Sequence, residues 1–271
     1  MSSSRTRPRA LVTGASAGIG AAYAGRLARE GYDLVLVARR RERLEQLAER
    51  LHTEAHAHAE VLAADLADAG ALAQVEARVA GDESLALLVN NAGFGAYRPF
   101  AQVEPAVIDS LINVHVRAVA RLTRAALPGM IRRGTGGVIN VASLLAFSGS
   151  IPPNPLPHRA TYAGAKAFIV TFTQALAGEI SGTGVRVQVC LPGVVATEFH
   201  TVQGMDFSQR PRMTADDVVA ASLAALAQGE VTCVPALDDA SLLERLLELQ
   251  RALMGSASNP VLAKRYRPDT A

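Results

Sequence analysis

The chain alternates between two kinds of segment, and this constrains its fold more than any other feature. Short apolar runs such as Leu34–Ala38, with no polar residue inside, are separated by longer stretches of helical spacing. A run of that kind reads as a strand buried on both faces, and the stretches between runs read as helices covering a parallel sheet. Strands are predicted at Ala10–Thr13, Leu34–Ala38, Val61–Ala64, Leu85–Val89, Val138–Ala142, Val185–Leu191 and Val231–Val234. Helices are predicted at Ile19–Glu30, Arg41–His56, Ala69–Ala80, Val107–Arg133, Tyr162–Ile180 and Ala215–Gln228. The expectation is an α/β chain with one doubly wound, Rossmann-type domain: a seven-stranded parallel sheet with helices on both faces. Its core would run over residues 8–236, and residues 237–271 would form a helical extension. In that extension Leu242, Leu246, Leu249 and Leu253 make one stripe along Ser241–Met254. The stripe either docks on its own domain or meets another subunit.

Composition narrows the functional classes. Hydrophobic residues are 49% of the chain and charged residues 19%, enough for a large core and too apolar for overall disorder. Lys and Arg number 27 against 25 Asp and Glu, and aromatics are 4% with no Trp, so neither a basic footprint nor stacking platforms for nucleic acid are expected. Cys190 and Cys233 each stand alone in an apolar run, which excludes a disulfide scaffold or a Cys-based zinc site and suits a reducing compartment. The scattered His residues form no metal cluster, so no metal is expected. The start carries Arg5, Arg7 and Arg9 and then a Gly-broken stretch rather than an apolar core, which gives no signal peptide. No 18-residue apolar run predicts a membrane span. These features predict a cytoplasmic protein with neither a membrane nor a nucleic-acid partner.

Between the first strand and first helix stands Thr13-Gly14-Ala15-Ser16-Ala17-Gly18-Ile19-Gly20. Glycines there permit a tight turn and close approach to a pyrophosphate, and the helix start offers free N–H groups and a positive dipole end. The same loop could exist for packing alone, but its place at the first strand-to-helix turn favours a nucleotide. Tyr162 and Lys166 are four apart and so share one helix face. A phenol with a pKa of about 10 needs help to work near neutral pH, and a close cation favours its ionised form. In a chain with 25 Arg and only 2 Lys, the Lys at this position stands out. Ser143 ends the fifth strand, where ligand-facing residues collect. Asn113 sits among apolar residues inside a helical pattern, which is costly unless it has a partner or a task.

In family order along the chain stand the glycine loop, Asp65-Leu66 after the third strand, Asn90-Asn91-Ala92-Gly93 after the fourth, Ser143, Tyr162-Ala163-Gly164-Ala165-Lys166, and Pro192-Gly193 followed by Thr197. Over about residues 8–236 the sequence resembles a classical short-chain dehydrogenase/reductase. The resemblance implies a catalytic set of Asn113, Ser143, Tyr162 and Lys166. In it Ser143 and Tyr162 polarise a carbonyl, Tyr162 donates the proton, Lys166 binds the nicotinamide ribose, and Asn113 holds a relay water. It also implies a nicotinamide site built from Gly14, Ser16, Ala17, Gly18, Ile19, Gly20, Asp65, Leu66, Asn91, Ala92, Gly93, Tyr162, Lys166, Pro192, Gly193, Val195 and Thr197. A homodimer or homotetramer acting on a small carbonyl or alcohol substrate follows from the same resemblance. Other reactions on this fold (imine reduction, epimerisation, dehydration) and a non-catalytic nucleotide-binding role stay open.

Two features are the chain's own. NAD-specific sites carry an acid about 20 residues after the glycine loop, at the end of the second strand. Here Ala38 stands in that place and Arg39 and Arg40 follow. A guanidinium binds phosphate oxygens in a fork, which predicts NADP(H), with Arg39 the leading ligand and Arg40 the second. The second feature is an interval of 18 residues between Ser143 and Tyr162, against about a dozen in the family. The excess coincides with Ile151–Arg159, which holds four Pro and can be neither helix nor ladder. Both flanking residues line the expected cleft, so the insertion is expected at the substrate rim, unless it is a tolerated surface loop.

Overall fold

A computed structural model describes residues 7–154 and 156–267; Pro155 and the two termini, with Arg5, lie outside them. All seven strands pair in parallel in the order β3-β2-β1-β4-β5-β6-β7. They are β1 Arg9–Thr13, β2 Asp33–Ala38, β3 Ala59–Ala63, β4 Leu85–Asn90, β5 Gly136–Val141, β6 Val185–Cys190 and the short β7 Thr232–Cys233. The helices are α1 Gly18–Arg29, α2 Arg41–Ala55, α3 Ala69–Ala80, α4 Pro105–Ile112, α5 Val119–Arg133, α6 Ala160–Glu179, α7 Ala215–Gln228 and α8 Ser241–Met254.

Successive strand residues point to opposite faces, and both faces are buried. Ala10, Val12, Leu34, Leu36 and Val89 pack against Leu27 of α1, Leu44 and Leu47 of α2 and Val218 of α7. Their neighbours Leu11, Val35, Val37 and Leu88 pack against Val75 of α3, Leu122 and Ala126 of α5 and Leu176 of α6. This double burial is why the strands read as unbroken apolar runs. Helix starts follow local chemistry: Asp68 caps α3 by accepting from the Ala71 N–H, and Thr214 caps α7 by accepting from the Asp217 N–H at 3.1 Å. The strand order turns back between β1 and β4, so the crevice beyond their C-terminal ends is the ligand position for such a sheet.

The helix expected over Val107–Arg133 is interrupted. It begins at Pro105, passes through a π-helical segment at Asn113–Ala118, and resumes as α5. Nothing in the spacing marks such a turn, which places one extra residue in the helix and is frequent at functional sites. The chain divides into one unit ending at Pro235 and a second starting at Ala236. In the second unit, α8 leaves Leu249 and Leu253 65% and 73% exposed. Among the described residues no helix is long and apolar enough to cross a membrane.

Candidate active site

The glycine loop leaves β1 with Gly14 at φ +68°, and a Cβ there would lie 2.8 Å from the Ala92 Cα. That combination of left-handed backbone and close approach admits only glycine. Thr13 explains the approach. Its buried hydroxyl accepts from the N–H groups of Asn91 and Ala92 at 2.9 and 3.0 Å, and Asn91 Nδ2 donates back to the Thr13 carbonyl at 3.0 Å. Asn91 therefore ties the β4 end to the loop. Thr13 is a residue the sequence reading passed over. α1 follows with an extended Ala17 as its N-cap, no side-chain cap, and no acidic residue in its first turn. Its first N–H groups and the space over Gly14 thus suit an anionic group such as a pyrophosphate.

At the end of β2 the two arginines diverge. Arg39 is 72% exposed and lies 3.9 Å from Asp65. Arg40 donates to Ser16 Oγ of the glycine loop through Nη2 at 3.0 Å and Nε at 3.2 Å. The structure therefore brings Arg40, rather than the favoured Arg39, onto the loop. Asp65 also accepts from the Ala67 N–H at 2.9 Å, and Leu66 is buried in the core beneath. On the far side, the Pro192 carbonyl accepts from the Leu144 N–H at 3.1 Å, which sets the Pro192-Gly193 turn beside Ser143. Val195 is buried and pairs with Met213, and Thr197 Oγ1 accepts from the Phe199 N–H at 3.3 Å. Ile19 packs on the core below α1.

The reactive groups gather at the end of β5 and the first turns of α6. Ser143 caps a short turn at Leu144–Phe147, its hydroxyl accepting from the Leu145 N–H at 3.2 Å, and lies beside the Tyr162 phenol. One turn along α6, Lys166 is buried, with its Nζ 5.6 Å from the Tyr162 ring centre and donating to the Val141 carbonyl at 2.8 Å. Burial pushes the Tyr162 phenol up to about 12, and hydrogen bonds from Tyr97 and Ser143 offset only part of that. Burial alone brings Lys166 down to about 7. Burial, not the neighbouring Lys166, dominates the phenol here. At neutral pH this tyrosine holds its proton, and the lysine is poised between its two states. Asn113 Nδ2 donates to the Ala67 carbonyl at 3.3 Å, which places it beside the Asp65-Leu66 turn. Below the site Asn90, Asn140, Thr123 and Thr173 form a buried chain of hydrogen bonds of 2.9–3.1 Å.

Three neighbours of Tyr162 lie outside the expected catalytic set. His115, two residues beyond Asn113, is fully buried with its ring edge-on to Tyr162 at 5.6 Å. The π turn carries it there, and Gly93 admits it, since a Cβ on Gly93 would lie 2.5 Å from its Cε1. Nε2 of His115 lies 2.8 Å from the Phe94 carbonyl, while Nδ1 has no partner among the described residues. Burial first, and the Lys166 charge second, keep this imidazole neutral. Tyr97 stands 5.4 Å from Tyr162 by ring centres, and Phe199 stands 6.3 Å away. A polar residue inside the largely apolar Leu111–Val116 run was the available sign for His115, and Phe199 stood in the sequence as an apolar residue of the segment after β6; nothing local announced Tyr97.

The rim segment is ordered by one buried cation. Arg159, just before α6, donates to Ser148 Oγ (2.6 Å) and to the carbonyls of Ser148 (2.7 Å), Ile151 (2.6 Å) and Pro157 (2.9 Å). The described part of the insertion contains neither helix nor strand.

Comparison with known proteins places these features. Residues 8–206 match the family model described as short chain dehydrogenase. A very-long-chain 3-oxoacyl-CoA reductase-B of Danio rerio is 33% identical over 72% of this chain, which spans 61% of that protein. Sulfoacetaldehyde reductase 2 of Chromohalobacter salexigens is 36% identical over 71% of this chain and 75% of its own length. Among solved structures, a short-chain dehydrogenase from Sphingobium yanoikuyae in complex with NADPH superposes with a TM-score of 0.90 at 36% identity, over 96% of this chain and 100% of that one. A bulky-bulky ketone specific alcohol dehydrogenase from Comamonas testosteroni gives 0.86 at 33% identity, over 96% and 99%.

Proposed function

The chain belongs to the short-chain dehydrogenase family, and from that premise we propose that it is an NADP(H)-dependent reductase converting a ketone to an alcohol. One observation carries the reading: Tyr162 and a buried Lys166 share one face of α6 at the C-terminal end of β5, beside Ser143. Tyr162 delivers its proton to the carbonyl oxygen, and the Ser143 hydroxyl holds that oxygen in place. A protonated phenol meets its substrate as an acid, which is the form carbonyl reduction requires. Lys166 holds the nicotinamide ribose, and Asn113 holds the water that returns a proton toward it. NADPH, when bound, supplies the hydride.

The α1 N-terminus and Gly14, Gly18 and Gly20 hold the pyrophosphate. Ser16 and Arg40, with Arg39 outside them, take the 2′-phosphate. Asp65 and Leu66 meet the adenine, Asn91, Ala92 and Gly93 line the ribose side, and Pro192, Gly193, Val195 and Thr197 close over the nicotinamide. Tyr97, Phe94 and Phe199 give the cleft an apolar wall, which supports a bulky apolar ketone. The binding and catalytic work is assigned to residues 8–236, within a cytoplasmic homo-oligomer. The test is NADPH consumption against a panel of ketones, with product analysis. A protein that binds NADPH but reduces none of them refutes the reading, and one whose product is not the alcohol assigns it to another reaction on the fold.

A further inference from the structure

Glu198 follows Thr197 in the segment beyond β6. Its two carboxylate oxygens are divided between two guanidiniums at the start of α2: Oε1 lies 2.6 Å from Arg40 Nη1, and Oε2 lies 2.8 Å from Arg43 Nη1. Arg40 uses the rest of its fork on Ser16 of the glycine loop. The pairing joins positions 155 residues apart. It also ties the lid segment to the nucleotide end of the cleft, because a Cβ placed on Gly18 would lie 3.1 Å from Thr197 Cγ2.

Two guanidiniums holding one carboxylate keep an excess positive charge. A phosphate monoester carries about −1.5 to −2 at neutral pH and offers three acceptor oxygens, so it outcompetes a single carboxylate for the pair. A hydroxyl has neither charge nor acceptors enough to do so. We infer that Glu198 is an internal competitor for the 2′-phosphate: it occupies Arg40 and Arg43 in the cofactor-free chain, phosphate displaces it, and Arg43 joins Arg40 in the phosphate site. The inference rests on the NADP(H) reading above and extends it to two residues outside the family motifs. Its consequence is that arrival of the phosphate releases the segment after Thr197 from α2.

All three side chains are 36–48% exposed, and a pair of that kind is worth up to about a factor of five in an equilibrium constant. The experiment is calorimetric titration of wild type, Glu198→Gln and Arg43→Ala with 2′,5′-ADP and with 5′-ADP, which lacks the 2′-phosphate. Glu198→Gln is expected to bind 2′,5′-ADP about fivefold tighter and 5′-ADP within twofold of wild type, and Arg43→Ala to bind 2′,5′-ADP more weakly. Unchanged or weaker binding of 2′,5′-ADP by Glu198→Gln overturns the competition, as does an equal gain for both nucleotides. A wild type that does not distinguish the two nucleotides overturns the NADP(H) reading and the competition together, which separates the two failures.

Discussion

Lys166 is held in the fold at a cost, and replacing it by an uncharged residue of similar length measures that cost. Its ammonium is 3% exposed, faces the Val141 carbonyl, and has no carboxylate partner among the described residues. Burial moves it from 10.5 to about 7, a distance worth about 5 kcal/mol between the charged and neutral forms. The sign follows from proton counting. Between pH 7 and 10.5 the unfolded chain keeps a proton on Lys166 that the folded chain has lost, so stability rises with pH across that window by about 1.4 kcal/mol per pH unit from this group alone. Lys166→Met removes the titration and also strands the Val141 carbonyl, which costs about 1–3 kcal/mol. The variant is therefore expected to be more stable than wild type at pH 7, by about 2–4 kcal/mol, and inactive. Its advantage should shrink steadily toward pH 9. Urea unfolding of both proteins at pH 7, 8 and 9 provides the measurement, and the difference between them cancels the other titrating groups. Parallel stabilities across the three pH values, or a variant weaker than wild type at pH 7, would refute the reasoning.

Tyr162→Phe keeps the ring packing against His115 and Tyr97 and removes only the acid, so kcat should fall by about a hundredfold or more with NADPH affinity within a few-fold; more than a tenth of wild-type turnover assigns the proton to another group. Replacing Pro152–His158 by a short Gly-Ser link removes one of the four acceptors on Arg159, the Pro157 carbonyl, so substrate ranking should change while the melting temperature stays within a few degrees. Arg159→Ala, which strands all four acceptors, should lower the melting temperature by more than that link does, and a reversed order would mean that the loop's own residues hold it. Arg40→Ala should reduce the NADPH-over-NADH ratio of kcat/KM about tenfold and Arg39→Ala less, since only Arg40 reaches Ser16; equal effects would return Arg39 to the phosphate.

Much of the fold was legible because its causes are local. Leu34–Ala38 reads as a buried strand since both of its faces meet helices, and Thr214 marks the start of α7 because its hydroxyl accepts from the Asp217 N–H. The reactive pair was legible for a similar reason, as four residues along one helix fix Tyr162 beside Lys166. What stayed hidden depends on contacts between distant parts of the chain. The choice of Arg40 over Arg39 is made by Ser16, 24 residues away, and by Glu198 much farther on. Tyr97 comes from the loop after β4 and meets Tyr162 only once the sheet is assembled. Spacing reports the nearness of Lys166 to Tyr162 and says nothing of how deeply both are buried, which pushes the phenol up and the ammonium down. His115 was hidden by a helix that departs from its regular period.

That departure separates the site from its scaffold by a single residue. A π turn is an α-helix with one residue too many, and the helices on either side keep their phase around it. Deleting one residue from Asn113–Ala118 would heal the helix and leave Leu122 and Ala126 facing the sheet as before. The fold would keep its core and lose the bend that brings His115 under Tyr162 and Asn113 beside Ala67. The placement of His115 and Asn113 at the site therefore depends on one peptide unit of chain length that the packing of α5 does not need.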